Sequence, residues 1–146
     1  MKIPITPLCI LLCILISPAA KAQKPFLFKS HPAFITVSEK QLNSFLSGKQ
    51  GNKISVPLSG NFAIEGDVLS NQIKYNCLQT MVLKVSSMGD MLFSISKRIN
   101  TDKSVGYTGH LFSKDYADGY ELKRNENNMY QLVKIEMEKI LPACNQ

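Results

Sequence analysis

The chain contains no tryptophan, and only two of its 146 residues are histidine. It also lacks the short motifs that mark common catalytic centres, because HExxH, GxSxG and a glycine-rich phosphate loop are all missing. Beyond residue 22 it has no closely spaced cysteines or histidines of the kind that bind zinc. These absences favour a non-enzymatic protein without a cofactor or a metal, and a hydrolase with an unrecognised site is the alternative.

A dense basic segment is also missing. The chain carries 17 lysines and arginines against 11 acidic residues, but the basic residues occur singly or in pairs such as Lys97-Arg98 and Lys123-Arg124. Nucleic-acid binding requires a denser basic stripe with interleaved aromatic residues. We therefore expect no nucleic-acid partner. Scattered charge is typical of solvated strand faces, and a weak attraction to an anionic cell surface or polysaccharide is the alternative.

The first 22 residues have the pattern of a secretory signal peptide. Lys2 precedes an apolar run at residues 8–16, and Ala20-Lys21-Ala22 is a small-x-small cleavage site. The apolar run is shorter than the roughly 20 residues that span a bilayer. We therefore expect export to the periplasm or the medium, a mature chain beginning at Gln23 with a net charge of +4, and no stable membrane anchor after cleavage.

Two cysteines, Cys77 and Cys144, remain after the predicted cleavage. An exported chain meets an oxidising compartment, which favours a disulfide between them. Such a bridge would stabilise the fold by about 4 kcal/mol in the chain-entropy model. The alternative is two unpaired thiols, with Cys77 buried on the apolar face of a strand.

The mature chain has a length typical of one domain. We expect an extended lead-in at residues 23–33 and a single β-rich domain at residues 34–146, beginning with a short strand at Phe34–Val37. Ser38 and Gln41 then have the spacing of a capping box, and Val37 and Leu42 that of a hydrophobic staple. These signals predict one short helix at residues 39–47.

From Ile54 onward apolar and polar residues alternate, which is the pattern of half-buried β-strands. Residues 71–85 continue the alternation longest and predict a central strand, with Cys77 on its apolar face. Turn signals recur along the rest of the chain, with no long helical segment between them. The pattern predicts a mainly β fold: an antiparallel meander of about seven or eight strands curled into a small barrel or sandwich, with the helix over one end or edge.

The densest polar segment is HLFSKDYADGYE, at residues 110–121. Its carboxylates could coordinate a hard cation, but their spacing differs from that of a calcium loop, and a simple hairpin turn is the stronger interpretation. Exposed tyrosines often mark interfaces, although cross-strand packing is the alternative for them. We therefore take as the candidate binding surface the polar and aromatic side chains of this segment: His110, Asp115, Tyr116, Asp118, Tyr120 and Glu121.

Several stretches together resemble a class of small exported proteins from Bacteroidota. They are GNFAIEGDVLSN, LQTMVLKV, FSISKRI, YTGHLFSKDYADGYELK and YQLVKIEMEKILPAC, and the resemblance extends over roughly residues 38–144, most of the mature chain. The resemblance implies export from a bacterium of this group. It implies no activity and no catalytic residue.

The sequence thus predicts an exported, non-enzymatic β-rich module that binds a protein or a cell-surface polymer. The expected contact is one sheet face or the turn at residues 114–119. A small β-barrel enclosing an apolar ligand is the alternative, although bulky inward residues argue against a roomy cavity.

Overall fold

A computed structural model of the chain describes residues 23–137. These residues form one helix and eight strands. In chain order they are β1 (Phe34–Val37), α1 (Glu39–Leu46), β2 (Lys53–Pro57), β3 (Ala63–Lys74), β4 (Leu78–Val85), β5 (Met91–Ile99), β6 (Val105–Phe112), β7 (Asp118–Arg124) and β8 (Tyr130–Glu136). No helix within residues 23–137 is long and apolar enough to cross a membrane.

The eight strands form one antiparallel sheet in the order β1-β8-β7-β6-β5-β4-β3-β2. Strands β2 to β8 follow one another as a meander, and β1 pairs with β8. The sheet curls into a half-barrel. Its two edge strands, β1 and β2, do not pair with each other, so the half-barrel stays open between them. The prediction of a mainly β, curled antiparallel meander with one short helix is confirmed.

Helix α1 forms where its capping signals are. The Ser38 hydroxyl accepts the Gln41 backbone N–H at 3.3 Å, and the Gln41 side-chain oxygen accepts the Ser38 N–H at 2.8 Å. Leu42, Phe45 and Leu46 then share one buried face. Phe45 packs edge-on against Phe93 of β5 at 5.0 Å. The helix therefore fills the concave side of the sheet, as so short a helix must to be stable.

The period-two pattern places alternate side chains against this helix. On β4, for example, Met81, Leu83 and Val85 are buried while the intervening side chains are half-buried or exposed. The apolar core collects such side chains from every strand, chiefly Ile35, Val56, Ile64, Met81, Leu83, Phe93, Leu111, Tyr120 and Leu132.

The predicted long strand at residues 71–85 is wrong in one respect. The chain reverses at Tyr75 and Asn76, which both have φ of 56°, so the stretch is the end of β3, a tight turn and β4. Ile73 is 69% exposed because β3 extends past the end of the helix, where nothing in the described chain covers it. The alternation of apolar and polar residues identified the inward face of β3 correctly, but it could not reveal where helix α1 stops covering that face.

Cys77 lies in that turn, and its thiol is free and exposed. The prediction of a buried Cys77 on an apolar strand face is therefore wrong, and no disulfide is found at this residue. Its expected partner, Cys144, lies outside the described residues 23–137.

Candidate functional site

The structure brings two of the six predicted surface residues together. His110 of β6 and Glu121 of β7 are directly opposite each other in the ladder, on the convex face of the sheet. Glu121 forms an ion pair with Lys123 at 2.9 Å, while His110 is exposed. The pair lies on an outer face of the sheet, where it can contribute to a contact surface.

Asp115 and Tyr116 lie in the turn between β6 and β7. Asp115 is exposed and donates its backbone N–H to the Ser113 hydroxyl at 3.2 Å, a bond that belongs to the turn itself. Tyr116 is half-buried beside Gly89 of the neighbouring turn. Among residues 23–137, no three histidine, cysteine or acidic side chains come together as a metal site would require.

Asp118 is not a surface residue, because only 1% of it is exposed. Its two carboxylate oxygens accept the backbone N–H groups of Leu27 and Phe28, each at 2.8 Å. Next to it, the Ala117 N–H donates to the Pro25 carbonyl oxygen at 2.9 Å. Asp118 therefore binds the lead-in to the sheet rather than a partner.

Tyr120 is also buried. Its hydroxyl donates to the Pro32 carbonyl at 2.7 Å, and its ring packs against Phe28 at 4.7 Å. Burial, with a smaller contribution from the negative charge of Asp118, raises the pKa of Tyr120 to about 12. Tyr120 thus anchors the lead-in together with Asp118, and neither side chain is available to the predicted binding surface.

Lys134 completes this anchoring. Its ammonium group donates to the Phe28 and His31 carbonyl oxygens, each at 2.6 Å. Phe28 is fully buried, whereas Phe26, two residues earlier, is 53% exposed. The bonds that fix Phe28 in the core therefore hold Phe26 at the surface, beside the edge of the sheet.

Phe26 flanks a groove of about 490 Å³ where β1 begins beside β8. We call this the aromatic groove and define it by Phe26, Phe34, Val133 and Ile135. Phe34 is 61% exposed and lies directly opposite Val133 in the β1–β8 ladder. The two phenylalanines are among the most exposed large apolar side chains of the described chain, and here they share one hollow.

The strand register explains the shape of the groove. Ile35 and Val37 of β1 point into the core, so Phe34, the chain neighbour of Ile35, must point outward. Ile135 is paired with Gly119, which has no side chain. A Cβ on Gly119 would collide with the Leu111 carbonyl oxygen, so glycine at this position permits the close approach of β6 and β7.

The aromatic groove adjoins the predicted pair of residues. Val133 is opposite Phe34 on one side and Glu121 on the other, and Glu121 is opposite His110. Phe34, Val133, Glu121 and His110 therefore form one row across β1, β8, β7 and β6, with the exposed aromatic ring at one end and the polar pair at the other. Sequence reasoning missed Phe34, although its alternation with Ile35 was the signal that could have found it.

A second hollow of about 440 Å³ lies at the opening between β1 and the β2–β3 turn. Its deepest side chains, Val37, Leu58 and Tyr130, belong to the core. On its rim, Gln41 is engaged in the capping box and also donates to the Pro57 carbonyl at 2.7 Å. The Gln41 side chain is thus used in hydrogen bonds that stabilise the fold, so this hollow is a weaker candidate binding site than the aromatic groove.

No family model, no curated protein and no solved structure matches the chain. The geometry of the aromatic groove therefore carries the functional argument. It offers exposed aromatic and aliphatic surface. Of the four charged residues in its lining, Asp118 and Lys134 already bind backbone groups of the lead-in, and the other two are Lys29 and Glu136. Such a surface suits apolar side chains better than sugars, whose hydroxyls require many free polar partners.

Proposed function

We propose that this chain is an exported, non-enzymatic binding module that takes an apolar segment of a partner protein into the aromatic groove. The observation that carries the proposal is that Phe26 and Phe34, each more than half exposed, flank one hollow. Contiguous exposed apolar surface of this kind marks interaction sites, and aromatic anchors dominate the energetics of binding.

The edge position of β1 supports an extended partner segment. β1 has β8 as its one neighbour in the sheet, and an edge strand offers backbone donors and acceptors on its other side. A segment added there would extend the sheet while its alternate side chains contact Phe34. The filling of the concave side by α1 weighs against the alternative of an apolar ligand held inside a barrel.

Export is part of the proposal and rests on the leader-like residues 1–22, which lie outside the described part of the chain. Mass spectrometry of the protein recovered from the periplasm or the medium tests it. We expect a mature chain beginning at Gln23. Recovery from the cytoplasm with residues 1–22 intact would contradict export while leaving the groove untouched.

Binding is tested by selecting ligands from a displayed library of random peptides with the mature protein, followed by calorimetry on the selected peptides. We expect peptides rich in aromatic and aliphatic residues. Burying the exposed part of one phenylalanine contributes about 1–2 kcal/mol, so Phe34→Ser should weaken binding about tenfold.

Ile99→Ser is the matched control, because Ile99 is also exposed, at 42%, but lies far from the aromatic groove on β5. It should leave the peptide affinity unchanged. Failure to select any peptide, or equal losses in the two variants, would contradict the proposal. Retention on peptidoglycan or an insoluble polysaccharide, with no peptide selected, would favour a polymer as the partner instead.

A further inference from the structure

A second exposed apolar cluster lies at the end of the sheet where β3 turns into β4 and β5 into β6. Ile73 is 69% exposed, Tyr75 is 87% exposed and Ile99 is 42% exposed. The Ile99 N–H donates to the Cys77 carbonyl at 2.8 Å, which joins the two hairpins at this level. We call Ile73, Tyr75, Cys77 and Ile99 the apolar tip.

The conformation of Tyr75 is unfavourable for its residue type. Its φ of 56° lies in the left-handed region, where asparagine and glycine are favoured and bulky side chains are rare. The side chain gains no burial in return. A tyrosine that strains the backbone without packing is not explained by the fold, and such outliers point to function.

The charges around the apolar tip are mostly positive. Lys74, Arg98 and Lys103 are all exposed, and Lys74 and Arg98 both pair with Leu78 on the convex face. Asp102 is the one acidic residue within residues 71–78 and 97–105. Its carboxylate accepts the Ser104 N–H and hydroxyl at 2.9 and 2.6 Å, which lowers its pKa and ties it to its own turn.

We propose that the apolar tip binds the surface of an anionic phospholipid bilayer. Ile73 and Ile99 lie on the concave face of the hairpins and Lys74 and Arg98 on their convex face, so apolar and basic side chains reach the same end of the sheet from its two sides. Such an end matches an apolar interior bounded by phosphate groups. Tyrosine is also enriched at membrane–water interfaces, where its ring is apolar and its hydroxyl remains hydrated. This surface is separate from the aromatic groove at the β1 edge, so a membrane and a partner protein can be held at once.

Vesicle co-sedimentation with the mature protein tests the proposal. Vesicles of phosphatidylcholine mixed with phosphatidylglycerol should bind the protein, and vesicles of phosphatidylcholine alone should not. Added salt should release it, because salt screens exposed charges. Lys74→Glu and Arg98→Glu should each lower partitioning at least fivefold, which corresponds to the ~1 kcal/mol that one basic residue contributes near an anionic surface.

Tyr75→Asn separates binding from folding. Asparagine adopts the left-handed conformation more readily than tyrosine, so this variant keeps the turn while removing the aromatic side chain. It should fold normally and bind anionic vesicles several-fold more weakly. Leu69→Ser and Lys114→Glu are the matched controls, because both residues are exposed but lie away from the apolar tip. They should bind like the unaltered chain.

Cys77 supplies an independent readout. In a Cys144→Ser background, a polarity-sensitive dye on Cys77 should shift its emission to shorter wavelength when anionic vesicles are added. No sedimentation, equal binding to both vesicle types, an unchanged dye spectrum, or equal losses in the control variants would overturn the proposal. Peptide binding at the aromatic groove should survive in Tyr75→Asn, so the two proposals can fail separately.

Discussion

Replacing Asp118 should detach the lead-in and destabilise the fold. The carboxylate is buried and accepts two backbone N–H groups, from Leu27 and Phe28. The side-chain amide introduced by Asp118→Asn would keep one accepting oxygen and turn an amide donor toward the other N–H. Asp118→Ala would leave both N–H groups without an acceptor.

The stability that Asp118→Ala should lose depends on which of two things happens to the lead-in. A buried donor without a partner costs about 1–3 kcal/mol, so Asp118→Ala costs about 2–6 kcal/mol if the lead-in stays in place. The lead-in can instead detach, which rehydrates both donors but exposes Phe28, a side chain whose burial contributes about 1.5–3 kcal/mol. Detachment is the less costly of the two and sets the upper limit, so we expect a loss of about 1.5–3 kcal/mol for Asp118→Ala and about half of that for Asp118→Asn.

Urea unfolding measures the loss of stability, and hydrogen exchange measures the detachment of the lead-in. The Leu27 and Phe28 amides should be protected in the unaltered chain and exchange rapidly in both Asp118 variants. Asp115→Asn is the control, since Asp115 is exposed and should change stability by no more than about 0.5 kcal/mol. Unchanged stability and protection in Asp118→Asn would refute the anchoring role and return Asp118 to the candidate binding residues.

Three further changes test other parts of the fold. Ser38→Ala should cost about 1 kcal/mol in urea unfolding, because it removes the helix cap, and no loss would mean that the capping box is not formed in solution. Gly66→Ala should prevent or severely weaken folding, seen by circular dichroism, because its Cβ would collide with the Lys84 carbonyl; a normal fold would contradict the β3–β4 register. Since the Tyr120 pKa is raised from 10.0 to about 12, stability should be full below pH 10 and fall as pH rises from 10 to 12; Tyr120→Phe should remove that part of the decline, and an unchanged slope would argue against its burial.

Local signals in the sequence were sufficient to predict much of the fold. The capping box at Ser38 depends on residues three positions apart, and the alternation in β4 depends on neighbours two positions apart. Such patterns predict the helix, the strands and the inward faces. The same patterns failed at Ile73, because alternation does not report where α1 stops covering the sheet, and at Cys77, because they did not reveal the turn between β3 and β4.

The anchoring of the lead-in depends on contacts that no local pattern contains. The bond between Leu27 and Asp118 joins residues 91 positions apart. From the sequence, Asp118 looks like a turn residue at the end of a polar segment, and only its tertiary neighbours reveal its role. Alternation with Ile35 gives the outward direction of Phe34, but no local pattern shows the aromatic groove itself, since Phe26, Phe34 and Ile135 line one hollow only once β1 pairs with β8.

Amide chemical-shift mapping with a selected peptide tests the aromatic groove most directly. Titration into the labelled mature protein should shift the resonances of Phe34, Val133 and Ile135 and of their neighbours on β1 and β8, and leave those of Tyr75 and Ile99 unmoved. Shifts confined to the apolar tip, or spread evenly over the sheet, would contradict the assignment of the groove as the binding surface.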